Sequence, residues 1–225
     1  MYKYLKRIFD IIISLLVLIV FLVPMIIIGL IIKLESKGPA IFKQVRTGYK
    51  GREFYLYKFR SMSVDNDVLN KSSENKLTKV GKIIRKTSLD ELPQVINILK
   101  GDMSLIGPRP WITEYYKNFT KEQKRRVDVK PGVTGLAQAV GRNNLSIFDK
   151  INYDLEYIDN YSLKMDIKVI LLTIKTVVTN TGCDISKSGI HDELKELHNH
   201  YLQVTGKQPV ITKDQLKEYE EKISI

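Results

Sequence analysis

The chain has 225 residues, enough for one sizeable domain and an appendage, and a formal net charge of +11. That excess points to a polyanionic partner, whether nucleic acid, anionic lipid or a phosphorylated substrate. It lies in the first 183 residues, because residues 184–225 carry six lysines against eight acidic residues. The one cysteine, Cys183, excludes an internal disulfide and fits a reducing compartment. The three histidines, His191, His198 and His200, all sit in the tail. The main body therefore has no imidazole for a Ser–His or Cys–His mechanism, or for a histidine-rich zinc site.

The first predicted element is an apolar segment from Ile8 to Ile32, interrupted by Asp10, Ser14, Pro24 and Gly29. It exceeds the apolar core of a signal peptide, and no small-residue cleavage site follows it. About 22–25 helical residues cross a hydrocarbon layer of roughly 30 Å, so one reading is a single span kinked at Pro24. The other is a helix that enters and leaves on the same side. Lys3, Lys6 and Arg7 precede the segment and Lys33, Lys37, Lys43 and Arg46 follow it. A single span would put one of these groups outside, against the positive-inside preference. Pro24 removes a helical hydrogen bond and divides the segment into two arms too short to span alone. Asp10 is expected to pair with a nearby Lys or Arg, because burying it unpaired is costly.

Ser36-Lys37-Gly38-Pro39 then turns the chain. Ala40–Val45 and Phe54–Arg60 read as two short strands joined through Thr47–Arg52, with Gly48 and Gly51 in the connection. In Lys58-Phe59-Arg60, Phe59 suits a core and either cation could reach a phosphate. Residues 63–78 are polar and read as a surface loop; they lack the spaced ligands and glycine of a calcium loop. Thr87-Ser88-Leu89-Asp90-Glu91-Leu92-Pro93-Gln94 opens a helix with Asp90 as its expected N-cap and Pro93 in its first turn. Gly101 is its stop signal. Taken alone, Asp90 and Glu91 would simply favour the helix dipole. Set among Lys79, Lys82, Arg85 and Lys86 upstream and Arg109 downstream, the pair also suits a divalent cation and a phosphorylated ligand.

Two Gly/Pro-punctuated segments follow, Gly101–Pro110 and Lys130–Gln138. The first locks Arg109 between Pro108 and Pro110, a setting for forked phosphate recognition. Neither carries Gly-Lys-Ser/Thr, and no GxGxxG occurs in the chain. Lys117–Lys130 reads as a basic helical stretch, and Tyr153, Asp154, Tyr157 and Tyr161 recur at helical spacing. Leu163–Asn180 is amphipathic, with Ile167, Ile170, Leu171, Ile174, Val177 and Val178 in one stripe. That pattern fits either a core-packed helix or one lying in a bilayer surface. Short helices are expected near 191–203 and 212–223.

Together the motifs carry more than any one of them. Lys6-Arg7-x-Phe9-Asp10, Pro24, Phe42-x-Gln44-x-Arg46-x-Gly48, Lys58-Phe59-Arg60-Ser61-Met62, Ser88–Gln94, Gly101–Pro110 and Pro131–Gln138 occur in a recognisable order. Over roughly residues 1–182 the chain closely resembles the small monotopic bacterial phosphoglycosyl transferases, the bacterial sugar transferase family. The resemblance implies an α+β, mostly helical monotopic membrane protein. Residues 1–35 would form a re-entrant helix broken at Pro24, and residues 36–182 a cytoplasmic catalytic domain with a small β-hairpin and interfacial helices. Residues 183–225 lie beyond the resemblance and read, from their own pattern, as a helical extension.

The implied reaction moves a phosphosugar from a UDP-sugar to undecaprenyl phosphate, releases UMP and starts glycan assembly at the cytoplasmic face of the inner membrane. Asp90 matches the family's nucleophile, which forms a covalent phosphosugar-aspartate, and Glu91 its partner acid; the two would hold Mg2+. Lys58, Arg85 and Arg109 match phosphate-binding cations. Membrane lipids are implied partners, nucleic acid is not, and homo-oligomerisation is left open. One departure stands out: well-known members often have Ser before the helix-breaking proline, where this chain has Val23. A membrane-anchored basic module that binds nucleic acid or lipid, or an inert scaffold, would explain the charge and the apolar start. Neither explains Asp90-Glu91 beside two rigid loops.

Overall fold

The computed structural model describes residues 1–63, 77–141, 144–179 and 190–206. α1 (Tyr2–Glu35) is a helix with Pro24 inside it, and most of its apolar side chains, including Leu16, Ile19, Val20, Val23 and Ile26, are exposed. It amounts to about 50 Å of helix at 1.5 Å per residue. By length and composition it could cross a membrane.

Both ends of α1 are tied to the rest of the protein. Near its start, Lys6 pairs with Asp166 in a buried contact, and Asp166 also accepts from Tyr157 Oη at 2.6 Å. Arg7 donates to the carbonyls of Ile98 and Leu99 at 2.6 and 3.0 Å, closing the C-terminal end of a later helix. Near its end, Ile32 packs with Phe59 and Ile84, and Glu35 accepts from the backbone N–H groups of Lys79 and Val80. Asp10 is satisfied differently from expectation. Its Oδ1 accepts from Ser104 Oγ at 3.0 Å and Leu105 N at 2.9 Å, so neutral donors replace the expected cation, and Lys6 serves Asp166 instead.

The hairpin forms close to its predicted place: β1 (Ile41–Thr47) pairs antiparallel with β2 (Glu53–Phe59). A 3-10 turn at Tyr49–Gly51 joins them, with Lys50 and Gly51 at positive φ. α2 (Lys79–Lys86) follows, capped by the Thr78 hydroxyl. The expected capping by Asp90 does not occur. Asp90 lies within a 3-10 turn, Leu89–Glu91, and α3 (Gln94–Lys100) starts only after Pro93, which occupies the cap position. Gly101 ends α3 in the left-handed region, as its stop signal predicts.

The two Gly/Pro segments lie side by side. β3 (Ser104–Ile106) and β4 (Gly132–Thr134) pair in parallel, Ser104 opposite Gly132 and Ile106 opposite Thr134. A Cβ on Gly132 would come within 2.1 Å of the Gly107 nitrogen, so this approach requires glycine. α4 (Thr113–Lys117) lies between the two segments, and α5 (Leu136–Val140) begins at the end of the second. The expected basic helix over Lys117–Lys130 is not continuous. It gives way to a 3-10 turn at Gln123–Val127, because Thr120 and Gln123 cap one another reciprocally and restart the chain there.

α6 (Ile147–Asp159) carries Tyr153, Asp154 and Tyr157, with Tyr161 just beyond its end. α7 (Leu163–Val178) packs Met165, Val169 and Thr176 inward. Its predicted stripe, Ile167, Ile170, Leu171, Ile174, Val177 and Val178, is exposed instead. α8 (Ile190–Thr205) forms near the expected 191–203. It inserts Leu194 and Leu197 into a core with Trp111, Tyr115, Phe119, Ile147 and Ile151. Burying each leucine contributes about 1.5–3 kcal/mol. Most of the polar segment 63–78, Cys183 and the helix expected near 212–223 lie outside the described residues.

Candidate active site

The site is assembled where the hairpin meets α3. Asn97, fully buried on α3, donates from Nδ2 to the Tyr55 carbonyl at 2.7 Å and accepts from Tyr57 N at 3.1 Å. This two-point bond fixes β2 against α3, and the next residue, Lys58, meets the turn that precedes the helix. Lys58 Nζ donates to Glu91 Oε1 at 2.6 Å. Arg109, from the proline-locked loop, donates from Nη2 to the same oxygen at 3.0 Å. Arg85, at the end of α2, donates from Nε to Ser61 Oγ at 2.9 Å, and its charge is felt at Asp90. All five predicted residues, Lys58, Arg85, Asp90, Glu91 and Arg109, therefore belong to one cluster. Pro24 lies apart from it, on an exposed position of α1.

The two adjacent carboxylates differ electrically. Burial pushes the Glu91 carboxyl up, but the Arg109 and Lys58 cations on it outweigh that and bring it down to about 2. Asp90 is raised: burial dominates, the Glu91 charge adds to it, and the pull of Lys58, Arg85 and Arg109 does not cancel it. Burial also lowers Lys58, against the opposing attraction of Glu91. Among the described residues Asp90, 8% exposed as a whole residue, accepts no hydrogen bond on its side chain. A nearly buried carboxylate left unpaired beside three cations is unusual for a structural group. It is expected of a group whose partner is a ligand.

These residues fit a divalent cation shared with a phosphate. Mg2+ commonly takes one or two carboxylates plus substrate phosphate oxygens. Both oxygens of Asp90, and Oε2 of Glu91, have no protein partner among the described residues. No group of three or more His, Cys, Asp or Glu side chains that could hold a metal without such a ligand occurs among the described residues.

Two features of the site carry no signal in the sequence. Ser88 adopts a left-handed conformation with φ of 57° immediately before the Leu89–Glu91 turn. Such strain in a non-glycine residue gathers at functional sites. Arg126 leaves the basic run to form a buried pair with Asp154, under the loop of Arg109. Nothing in Lys124-Arg125-Arg126 marks the third cation as the interior one.

The family model described as Bacterial sugar transferase matches residues 1–180. Among curated relatives, the chain is 47% identical over 179 residues to Galactosyl transferase CpsE of Streptococcus agalactiae serotype III (strain NEM316), covering 72% of this chain and 38% of that protein. It is 43% identical over 180 residues to Uncharacterized sugar transferase EpsL of Bacillus subtilis (strain 168), covering 79% of this chain and 89% of that protein. It is 44% identical over 181 residues to the UDP-glucose:undecaprenyl-phosphate glucose-1-phosphate transferase of Klebsiella pneumoniae, covering 75% and 39%. The chain thus spans about two fifths of the length of the streptococcal and Klebsiella relatives. α8 lies beyond the matched region.

Proposed function

Because this chain belongs to the bacterial sugar transferase family, we propose that it transfers a phosphosugar from a UDP-sugar to undecaprenyl phosphate, releases UMP and so starts glycan assembly. The observation that carries the reading is Asp90: a nearly buried carboxylate with no protein partner, in the field of Lys58, Arg85 and Arg109. In a first step, an Asp90 carboxylate oxygen attacks the β-phosphorus of the donor. The bond from that phosphorus to the oxygen bridging the two phosphates breaks, and UMP leaves with the electron pair. In the second, a phosphate oxygen of the lipid attacks the same phosphorus, and the aspartyl–phosphorus bond breaks to regenerate Asp90.

Phosphoryl chemistry depends mainly on positioning and charge neutralisation. Glu91 orients Lys58 and Arg109 through one oxygen, and the Arg85 charge also acts on Asp90. A bound Mg2+, held by Asp90 and Glu91 with the diphosphate, would neutralise charge on the departing UMP. Relatives named for UDP-glucose and for UDP-N-acetylgalactosamine, with undecaprenyl phosphate, support the two substrate classes. A screen of UDP-sugars with undecaprenyl phosphate and Mg2+ tests the reading. One donor should yield UMP and a lipid-linked phosphosugar; no UMP from any donor would overturn it.

The site would work at the cytoplasmic face of the inner membrane, with α1 re-entrant and the apolar stripe of α7 resting in the lipid surface. Support comes from the attachment of both ends of α1 to the same body and from the exposure of that stripe. In a Cys183→Ser background, single cysteines at Lys3 and Lys37 should both react with an impermeant thiol reagent only after the cytoplasmic side is opened. Labelling of position 3 in intact cells would refute the re-entrant placement.

A further inference from the structure

Arg126 is 3% exposed, and its guanidinium meets a carboxylate, two aromatic rings and a backbone carbonyl. Nε donates to Asp154 Oδ2 at 3.1 Å, and Nη2 bonds the same oxygen. Its Cζ lies 4.5 Å from the Trp111 ring centroid and 5.5 Å from that of Phe119. Nη2 also donates to the backbone carbonyl of Arg109 at 2.8 Å. That carbonyl lies between Pro108 and Pro110, where two fixed φ angles leave few ways to turn the residue.

A buried ion pair is a poor source of stability, since removing two charges from water commonly costs as much as their attraction returns. Here the pair is not even complete, because Asp154 Oδ1 accepts no hydrogen bond among the described residues. Geometry explains the arrangement better. Asp154 and the two rings fix the guanidinium, and the guanidinium fixes the peptide from which the Arg109 side chain departs.

We propose that Arg126 is a positioning residue for donor binding: it holds the Arg109 backbone so that the Arg109 guanidinium stays on Glu91 and aimed at the donor phosphates. The inference rests on the reading of Arg109 as a phosphate-binding cation, and its test has one arm that does not depend on turnover. Arg126→Lys keeps a cation for Asp154 and for the face of Trp111. It lacks the planar fork that reaches Asp154 and the Arg109 carbonyl together.

The full chain with this substitution should melt close to the parent. Amide exchange of the Gly107–Ile112 segment should quicken by about tenfold, the scale of one lost charged-donor hydrogen bond. The UDP-sugar KM should rise by a similar factor, with kcat changing less. Combined with Arg109→Ala, the substitution should add nothing, because it acts only through Arg109. Unchanged exchange in this segment would overturn the proposal, as would losses that multiply in the double variant. Should Arg126→Lys melt far below the parent, Arg126→Met with Asp154→Leu, which removes both charges and the donor to the Arg109 carbonyl, gives the same decision from the same exchange measurement. A parent enzyme that releases no UMP would remove the proposed function, and exchange at Gly107–Ile112 would still decide whether Arg126 holds the loop.

Discussion

Asp90→Asn is expected to lower UMP release by at least about a thousandfold, because an amide cannot form the acyl-phosphate bond that the proposed route requires. The fold should tolerate the change. Among the described residues the carboxylate accepts no protein hydrogen bond, so the substitution breaks none, and Asn has nearly the same shape. Its effect on stability has a definite sign. A carboxyl raised by burial binds its proton more tightly when folded than when unfolded. The ionised group therefore costs stability at neutral pH, and that cost disappears as pH falls below the unfolded value. The variant should melt at the same temperature as the parent or higher at pH 7, and the difference should shrink in acid. Incubating the parent with donor and no acceptor should add the mass of one phosphosugar to the peptide containing Asp90, and the variant should add none. Near-normal turnover in the variant would remove the nucleophile from this position.

The parts of this molecule that follow local rules are the parts that were legible in its sequence. Alternation and glycines placed the hairpin of β1 and β2, and Gly101 placed the end of α3. The stripe of α7 was readable too. Whether that stripe faced a core or a bilayer was not, because periodicity gives a helix a face without saying what covers it. Asp90 illustrates the opposite case. Its residue type and the following proline are good capping signals, yet the chain turns left-handed at Ser88 and spends Leu89–Glu91 in a 3-10 turn. No propensity announces a left-handed serine, so the local rule gave way to the geometry that sets two carboxylates before Lys58 and Arg109. Residue types and spacing mark Lys58, Arg85, Asp90, Glu91 and Arg109 one by one, and the resemblance joins them into a single site. Its residues come from a strand, the last turn of a helix, a 3-10 turn and a proline loop, and only tertiary packing brings those together. Arg126 was hidden for the same reason, since its interior role depends on Asp154, twenty-eight residues later.

The second large effect is expected at Glu91. In Glu91→Gln the two cations lose their shared counter-charge, so the site keeps its shape but not its balance. Turnover should fall by about a hundredfold or more, the usual scale for removing a group that arranges transition-state charge. The Mg2+ titration should shift to higher concentration, and an unchanged titration would count against a metal role for this carboxylate. The pH profile separates electrostatics from simple damage. Glu91 is one of the groups that raise Asp90, so without it Lys58, Arg85 and Arg109 pull harder, and the acid limb of turnover should move to lower pH. Burial already lowers Lys58 and Glu91 opposes that, so a limb set by the Lys58 cation should also move to lower pH. Stability has its own signature. The folded carboxyl sits at about 2 against an ordinary 4.5, so its contribution is full above the ordinary value and is lost as pH falls towards 2. That difference corresponds to about 3 kcal/mol at most. Thermal melts from pH 7 to pH 2 should show the variant less stable at neutral pH and converging with the parent in acid. A constant gap across that range would mean that Glu91 acts by packing rather than by holding Lys58 and Arg109.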